Sequence, residues 1–243
     1  IFPLRKKCYQ NFDLVKLDND ILEVPLYDHS GVTGRTSIVN GCNFLTMKKT
    51  KRNLLKPTKP NHSLVEIDFK SCEPFFYLMS NGFELNGTRD VYTWISENYD
   101  VKMKSRDKFK RGILSMLYGA NEYTISKVMQ TEIKTVRKIK SELGINDLNE
   151  YNQKGFILNY YGRPIVNNNN LVNYWIQSST VDYCSLTFYE FLKRFKVNPS
   201  FFVHDSLTFQ IDKTRVSEIL NIKDLSESRS NISVPIEISI LSE

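Results

Sequence analysis

In SLVEIDF, residues 63–69, apolar and polar side chains alternate, the period of a β-strand. Directly after it, EPFFYLMSN changes to helical spacing. From residue 90 to 143 the apolar positions keep a helical period, and three helices are predicted, DVYTWISENY, SRDKFKRGILSMLYG and TEIKTVRKIKSEL. GFILNYYGRPIV reads as a hairpin turning near Gly162 and Pro164, NNNN at 167–170 as a turn, and residues 171–195 as one long helix. FFVHDSLTF, residues 201–209, is apolar on both sides of a single His-Asp pair, as two buried strands joined by a bend would be. A short helix from about residue 214 and a last strand, SVPIEISI, complete the pattern. Residues 30–61, rich in Gly, Thr, Lys and Pro, predict loop with brief strands. Strands that carry isolated acids, interrupted by a helical insertion, predict an α+β fold with an antiparallel sheet and a helical subdomain.

The acids fall at strand ends. Asp68 closes one strand and Asp205 sits at the bend between two others, so a sheet that sets these strands side by side brings two carboxylates together. Like charges at one spot repel unless cations hold them, and hard oxygen donors suit Mg²⁺. Such a pair fits two-metal phosphoryl transfer, with ions roughly 4 Å apart; capping of a turn by each Asp separately is the plainer alternative. On the helix at 105–119, Arg106, Lys110, Leu114 and Tyr118 are spaced by four. At about 100° per residue each step drifts only about 40°, so all four share one face. A guanidinium, an ammonium, an apolar platform and an aromatic ring in a row match the phosphates, sugar and base of a nucleoside triphosphate. The same cations on a solvated face are the alternative.

The 243 residues, 41% hydrophobic and 12% aromatic, are enough for one large domain or two modest ones. The net charge of +6 agrees with an anionic partner such as nucleic acid, and with a basic enzyme of another kind. Four scattered cysteines with no metal-ligand spacing predict reduced thiols, an intracellular location and no disulfide framework. No apolar run is long enough to span a bilayer and no signal segment precedes the first charges, so no membrane partner is expected. A start at Ile1 rather than Met is expected of a piece of a longer polypeptide.

The motifs resemble those of family A polymerases, the DNA polymerase I type, and of the related single-subunit phage and mitochondrial RNA polymerases. RDKFKRGILSMLYG is similar to the family's motif B, Arg-x3-Lys-x7-Tyr-Gly, IDFKSCE to motif A and VHDS to motif C, in the family's order. TGRTS at 33–37, DVYTW, an Asn-x3-Gln at Asn173 and Gln177, and the closing VPIEISI extend the likeness to all but residues 1 to about 28. The resemblance implies a palm of residues 1–86 and 146–243 and fingers of 87–145, with no thumb or exonuclease evident in this chain.

It also implies roles. Asp68, Asp205 and the main-chain carbonyl of Phe69 would bind two Mg²⁺, while Arg106 and Lys110 hold the triphosphate with Tyr92 near the phosphates. Tyr118 would stack by the templating position and Leu114 would face the sugar. Arg35 and His204 would lie along the primer, and Asn173 and Gln177 in the minor groove. The implied partners are primer-template DNA, dNTPs and a thumb, exonuclease or processivity partner supplied elsewhere. Two departures point toward the RNA enzymes: Leu114 stands where the DNA enzymes have an aromatic residue, and Ser206 where motif C has Glu. Glu73, where the DNA enzymes crowd the 2′-carbon, points the other way. DNA synthesis is the expectation, with RNA synthesis or a primer-template binding module without catalysis as alternatives; the compact, divergent motifs fit a phage origin, with action in the bacterial or host cytoplasm.

Overall fold

The structure, a computed structural model, describes residues 7–85, 90–145, 156–166 and 171–242. The turn expected at 167–170 lies outside them. Two compact units divide the chain, Ile1–Lys70 with Val181–Glu243, and Ser71–Thr180. These bounds fall at residues 70 and 180, whereas the palm and fingers implied by the resemblance part at 86 and 145.

The first unit opens with short strands β1 (Val15–Leu17), β2 (Asp20–Ile21), β3 (Leu26–Asp28) and β4 (Ser37–Asn40). A helical turn, α1 (Lys49–Arg52), precedes β5 (Leu55–Pro57) and the long β6 (His62–Phe69). Strands β2, β1 and β5 form a three-stranded antiparallel sheet, and β3 pairs with β4. The segment expected as loop with brief strands therefore also holds a turn of helix. Few of its residues are apolar, but Phe44 and Leu55 are buried and anchor it.

The second unit is helical. Its elements are α2 (Cys72–Ser80), α3 (Val91–Asn98), α4 (Arg106–Leu117), α5 (Glu122–Met129) and α6 (Ile133–Glu142). The hairpin β7 (Phe156–Leu158) and β8 (Pro164–Val166) follows, then the start of α7 (Leu171–Phe195). Side-chain caps set three of the starts: Asp90 accepts from the Tyr92 amide at 3.3 Å, Ser105 from Lys108 at 3.5 Å and Asn121 from Thr124 at 2.9 Å. Helix α5 was not among the three predicted in this region. Only Ile125 and Met129 of its residues are buried, too few to give a periodic signal. Gly112 lets α4 approach α5 closely, since a Cβ there would lie 2.0 Å from the Met129 Cγ. The hairpin turns through Gly162 at φ 77°, as the sequence indicates.

Returning to the first unit, the rest of α7 leads to β9 (Pro199–Val203) and β10 (Ser206–Asp212), a short α8 (Ser217–Leu220), β11 (Asp224–Ser226) and β12 (Ser233–Ser242). The main sheet has the order β11-β12-β6-β10-β9, and all its pairings are antiparallel. This is the α+β fold that the strand and helix pattern predicts. One face packs on α7, with Phe69 5.1 Å from Phe188 and Phe209 5.3 Å from Phe191 between ring centroids. On the other face Leu64, Phe201 and Val203 join Val15, Phe44 and Leu55, and the Phe44 and Phe201 rings stack at 4.1 Å. Burying each such side chain contributes about 1.5–3 kcal/mol.

The sheet ends at β9, and side-chain and main-chain groups from the N-terminal segment cover that edge. The Tyr27 hydroxyl donates to the Phe202 carbonyl at 2.8 Å and accepts from the Phe202 amide at 2.7 Å. Nearby, the Asp13 amide donates to the Pro199 carbonyl at 2.7 Å. Among the described residues no helix is long and apolar enough to cross a membrane.

Candidate active site

Strands β9 and β10 meet in a two-residue turn, His204–Asp205, closed by the pair Val203 and Ser206. His204 takes the left-handed conformation that a turn this tight requires, φ 53°. The register sets Ser206 opposite Asp68, and the Phe69 amide donates to the Asp205 carbonyl at 3.2 Å. Asp68 and Asp205 are thereby brought together at one end of the sheet. Burial, and after it the negative charges of Asp205 and Glu66, push the Asp68 carboxyl up to about 7. The pair therefore resists holding two negative charges. Among the described residues no group of three or more His, Cys, Asp or Glu gathers to hold a metal ion. The oxygen donors at this end of the sheet include these two carboxylates, the carboxylate of Glu237, which the register sets opposite Asp68, and the main chain of Phe69, whose ring is buried.

Basic groups surround the pair. Lys49 and Arg52 both draw the Asp68 carboxyl back down. His204 lies below the usual imidazole range because the turn strips part of its hydration and because Arg35 and Arg52 repel a further positive charge. Arg35 is exposed and close enough to act on His204, so the two expected primer contacts share one region. Arg52 stands in a run of basic residues, but its Nε lies 3.2 Å from Glu66 Oε2 and only 12% of its side chain is exposed. Glu66, 1% exposed, was missed altogether. The signal was present: Glu66 stands two residues before Asp68 on the same strand and so on the same face. Removing one partner of a buried pair like this costs about 3–5 kcal/mol.

In the second unit, α4 presents the expected row. Arg106 is exposed, Lys110, Leu114 and Tyr118 are half-buried, and Phe109, Ile113, Met116 and Leu117 anchor the opposite side. The Tyr118 hydroxyl donates to the Glu73 carboxylate on α2, joining the last residue of the row to the expected sugar discriminator. Arg106 is held bidentately by Asp90, with Nε to Oδ2 at 3.2 Å and Nη2 to Oδ1 at 3.0 Å. Burial opposes ionisation of Asp90, but hydrogen bonds from Arg106 and Thr93 outweigh it and keep the carboxyl below its ordinary range. Asp90 raises Arg106 in return. Tyr92 is fully buried, which pushes its hydroxyl up, and its ring lies 5.5 Å from the Arg106 guanidinium carbon and 5.9 Å from Lys110 Nζ. Tyr92 is thus near the expected phosphate ligands but gives no surface of its own.

Asn173 and Gln177 stand one turn apart in the first part of α7, both half-buried. The Asn173 Oδ1 is buried with no hydrogen-bond partner among the described residues. A buried amide oxygen in that condition costs free energy unless a ligand or water satisfies it.

No protein-family model and no curated protein matches the sequence. Among solved structures the chain is similar to the polymerase domain of Pol1 from M. smegmatis, determined in complex with a DNA primer-template and dNTP. The TM-score is 0.61 at 14% sequence identity, over 88% of this chain and 47% of that one. The chain spans about half the length of the polymerase domain it matches. The likeness is one of fold: this chain has the α+β architecture of a polymerase domain.

Proposed function

We propose that the chain is a template-directed polymerase of the family A type that adds dNTPs to a primer 3′-OH. The observation that carries this reading is the register that sets Ser206 opposite Asp68 and so joins two carboxylates from segments far apart in the chain. The fold, shared with a domain that binds primer-template and dNTP, supports it.

The donor set fits divalent cations: two hard carboxylates, one of them pushed toward neutrality by burial and by its neighbour, a cost that a dication reverses. Two Mg²⁺ held by Asp68, Asp205 and the Phe69 carbonyl would, when bound, activate the attacking oxygen and stabilise the leaving one. Arg106 and Lys110 neutralise the triphosphate and the departing pyrophosphate. Tyr118 stacks by the templating base, and Leu114 faces the sugar. Glu73, tied to the Tyr118 hydroxyl, has little freedom to withdraw from a ribose 2′-OH, and this favours deoxynucleotides. Arg35 and His204 face the primer, and Asn173 and Gln177 the duplex minor groove, where shape rather than sequence is sensed. In these terms residues 1–86 and 146–243 are the palm and residues 87–145 the fingers.

Primer extension with Mg²⁺ and separate dNTP and NTP pools tests the proposal. Extension from dNTPs alone is expected. Equal use of both pools replaces it with an RNA polymerase, and primer-template binding without extension replaces it with a binding module.

A further inference from the structure

Two residues at the start of α3, Asp90 and Tyr92, are arranged around the cations of α4. Asp90 is fixed to its own helix, accepting from the Tyr92 amide at 3.3 Å and from Thr93 Oγ1 at 2.8 Å. From that fixed position it takes the Nε and Nη2 side of the Arg106 fork, leaving the remaining N–H groups for another acceptor. Tyr92 supplies the floor: its buried ring has Arg106 at 5.5 Å and Lys110 at 5.9 Å, both within reach of a cation–π attraction. Arg106 is otherwise well exposed, with 55% of its side chain in solvent, and a side chain so placed would sample many rotamers without these supports.

We infer that Asp90 and Tyr92 are positioning residues that hold Arg106 and Lys110 as a preformed receptor for a polyphosphate chain. The inference rests on the reading of α4 as the nucleotide-binding face and changes what Tyr92 does: the ring acts through the two cations and not by touching phosphate. The physical gain is pre-organisation, because ordering two long side chains before the ligand arrives removes that cost from binding. Simple charge counting gives the opposite sign for Asp90. A carboxylate beside the receptor cancels one positive charge, so if charge alone mattered its removal would strengthen anion binding.

That difference in sign makes the test. Inorganic tripolyphosphate is titrated calorimetrically into the full chain at fixed salt, a measurement that needs no turnover, and the thermal midpoint of each variant is recorded alongside. Asp90→Asn keeps the helix cap and removes the charge; Tyr92→Phe keeps the ring, and Tyr92→Leu removes it. We expect about tenfold weaker binding for Asp90→Asn, about fivefold for Tyr92→Leu and less than about twofold for Tyr92→Phe. Asp90→Asn should keep the parent's thermal midpoint. Binding by Asp90→Asn as tight as the parent's or tighter, or equal losses in Tyr92→Phe and Tyr92→Leu, overturns the inference. Arg106→Ala and Lys110→Ala are the separate control. If both bind tripolyphosphate like the parent, the nucleotide reading of α4 fails; if both lose binding while Asp90→Asn does not, only the positioning inference fails.

Discussion

The turn that carries Asp205 and the helix face that carries Arg106 treat their charges in opposite ways. At the end of the sheet two carboxylates are forced together by strand register, and burial and the neighbouring negative charges push the Asp68 carboxyl up to about 7. On α4 the cation already has an anion: Arg106 is gripped by Asp90 and rests over an aromatic ring. The first arrangement stores unfavourable charge that a metal would relieve, and the second spends its interactions on holding side chains still.

Removing a carboxylate should break the first half of this comparison most severely. Asp68→Ala or Asp205→Ala is expected to reduce primer extension by about a thousandfold or more, about 4 kcal/mol of transition-state stabilisation. Primer-template affinity, which comes mostly from phosphate contacts, should stay nearly unchanged in a filter-binding assay at fixed salt. More than a tenth of the activity remaining would remove these residues from the chemistry.

Truncating the cations tests the second half. Arg106→Ala and Lys110→Ala should each weaken dNTP use by about 1.5–3 kcal/mol, seen as a higher apparent KM or lower kcat/KM in single-nucleotide insertion. Lower DNA affinity with an unchanged KM would instead mark α4 as a duplex-binding face. A smaller effect is expected at Glu73. Glu73→Ala should raise insertion of ATP relative to dATP by about tenfold, or about 1.4 kcal/mol, and should cost some dATP insertion because Tyr118 loses its acceptor. Equal use of both nucleotides by the parent protein would show that Glu73 excludes nothing.

An effect of similar size is expected on stability in the absence of metal. Because the folded Asp68 carboxyl titrates near 7 and the unfolded one near 3.8, the folded state keeps its proton over that interval while the unfolded state releases it. Stability should therefore fall as pH rises from about 4 to about 7 and level off above. Asp68→Asn should flatten that profile and leave the metal-free protein about 1–2 kcal/mol more stable at pH 8 than the parent, after allowance for the partial exposure of the group. Chemical denaturation at several pH values without divalent ions measures it, and a slope shared by parent and variant would assign the pH dependence to other groups. Added Mg²⁺ should remove the difference.

Much of this arrangement is legible in the residues alone, for identifiable reasons. Asp68 and Asp205 stand out because each interrupts or ends an apolar run, and the spacing of four along 106–118 displays one helix face without any tertiary knowledge. The strands that frame the carboxylates are long and strongly apolar, and so are easily read. What escaped notice depends on contacts between distant segments. Asp90 reads as a plain helix cap, and its grip on Arg106, sixteen residues on, follows from how α3 packs beside α4. Arg52 lies in a run of basic residues that resembles a solvated surface, and only the fold turns it inward to Glu66. The first 28 residues carry too short a period to show that β1 and β2 join β5 in a sheet.

The hydroxyl of Tyr27 has a consequence for how the protein behaves in a crowded solution. An outermost strand normally leaves amide and carbonyl groups open, and these let one molecule lengthen its sheet with another. Here a single phenol serves both groups of Phe202, as a sixth strand would, and the Asp13 amide takes the Pro199 carbonyl at the start of the strand. A second copy that tried to add to β9 would have to displace the tyrosine and leave its buried oxygen without partners. The sheet is thereby finished by a side chain, and the strand that leads into the Asp205 turn is shielded from self-association.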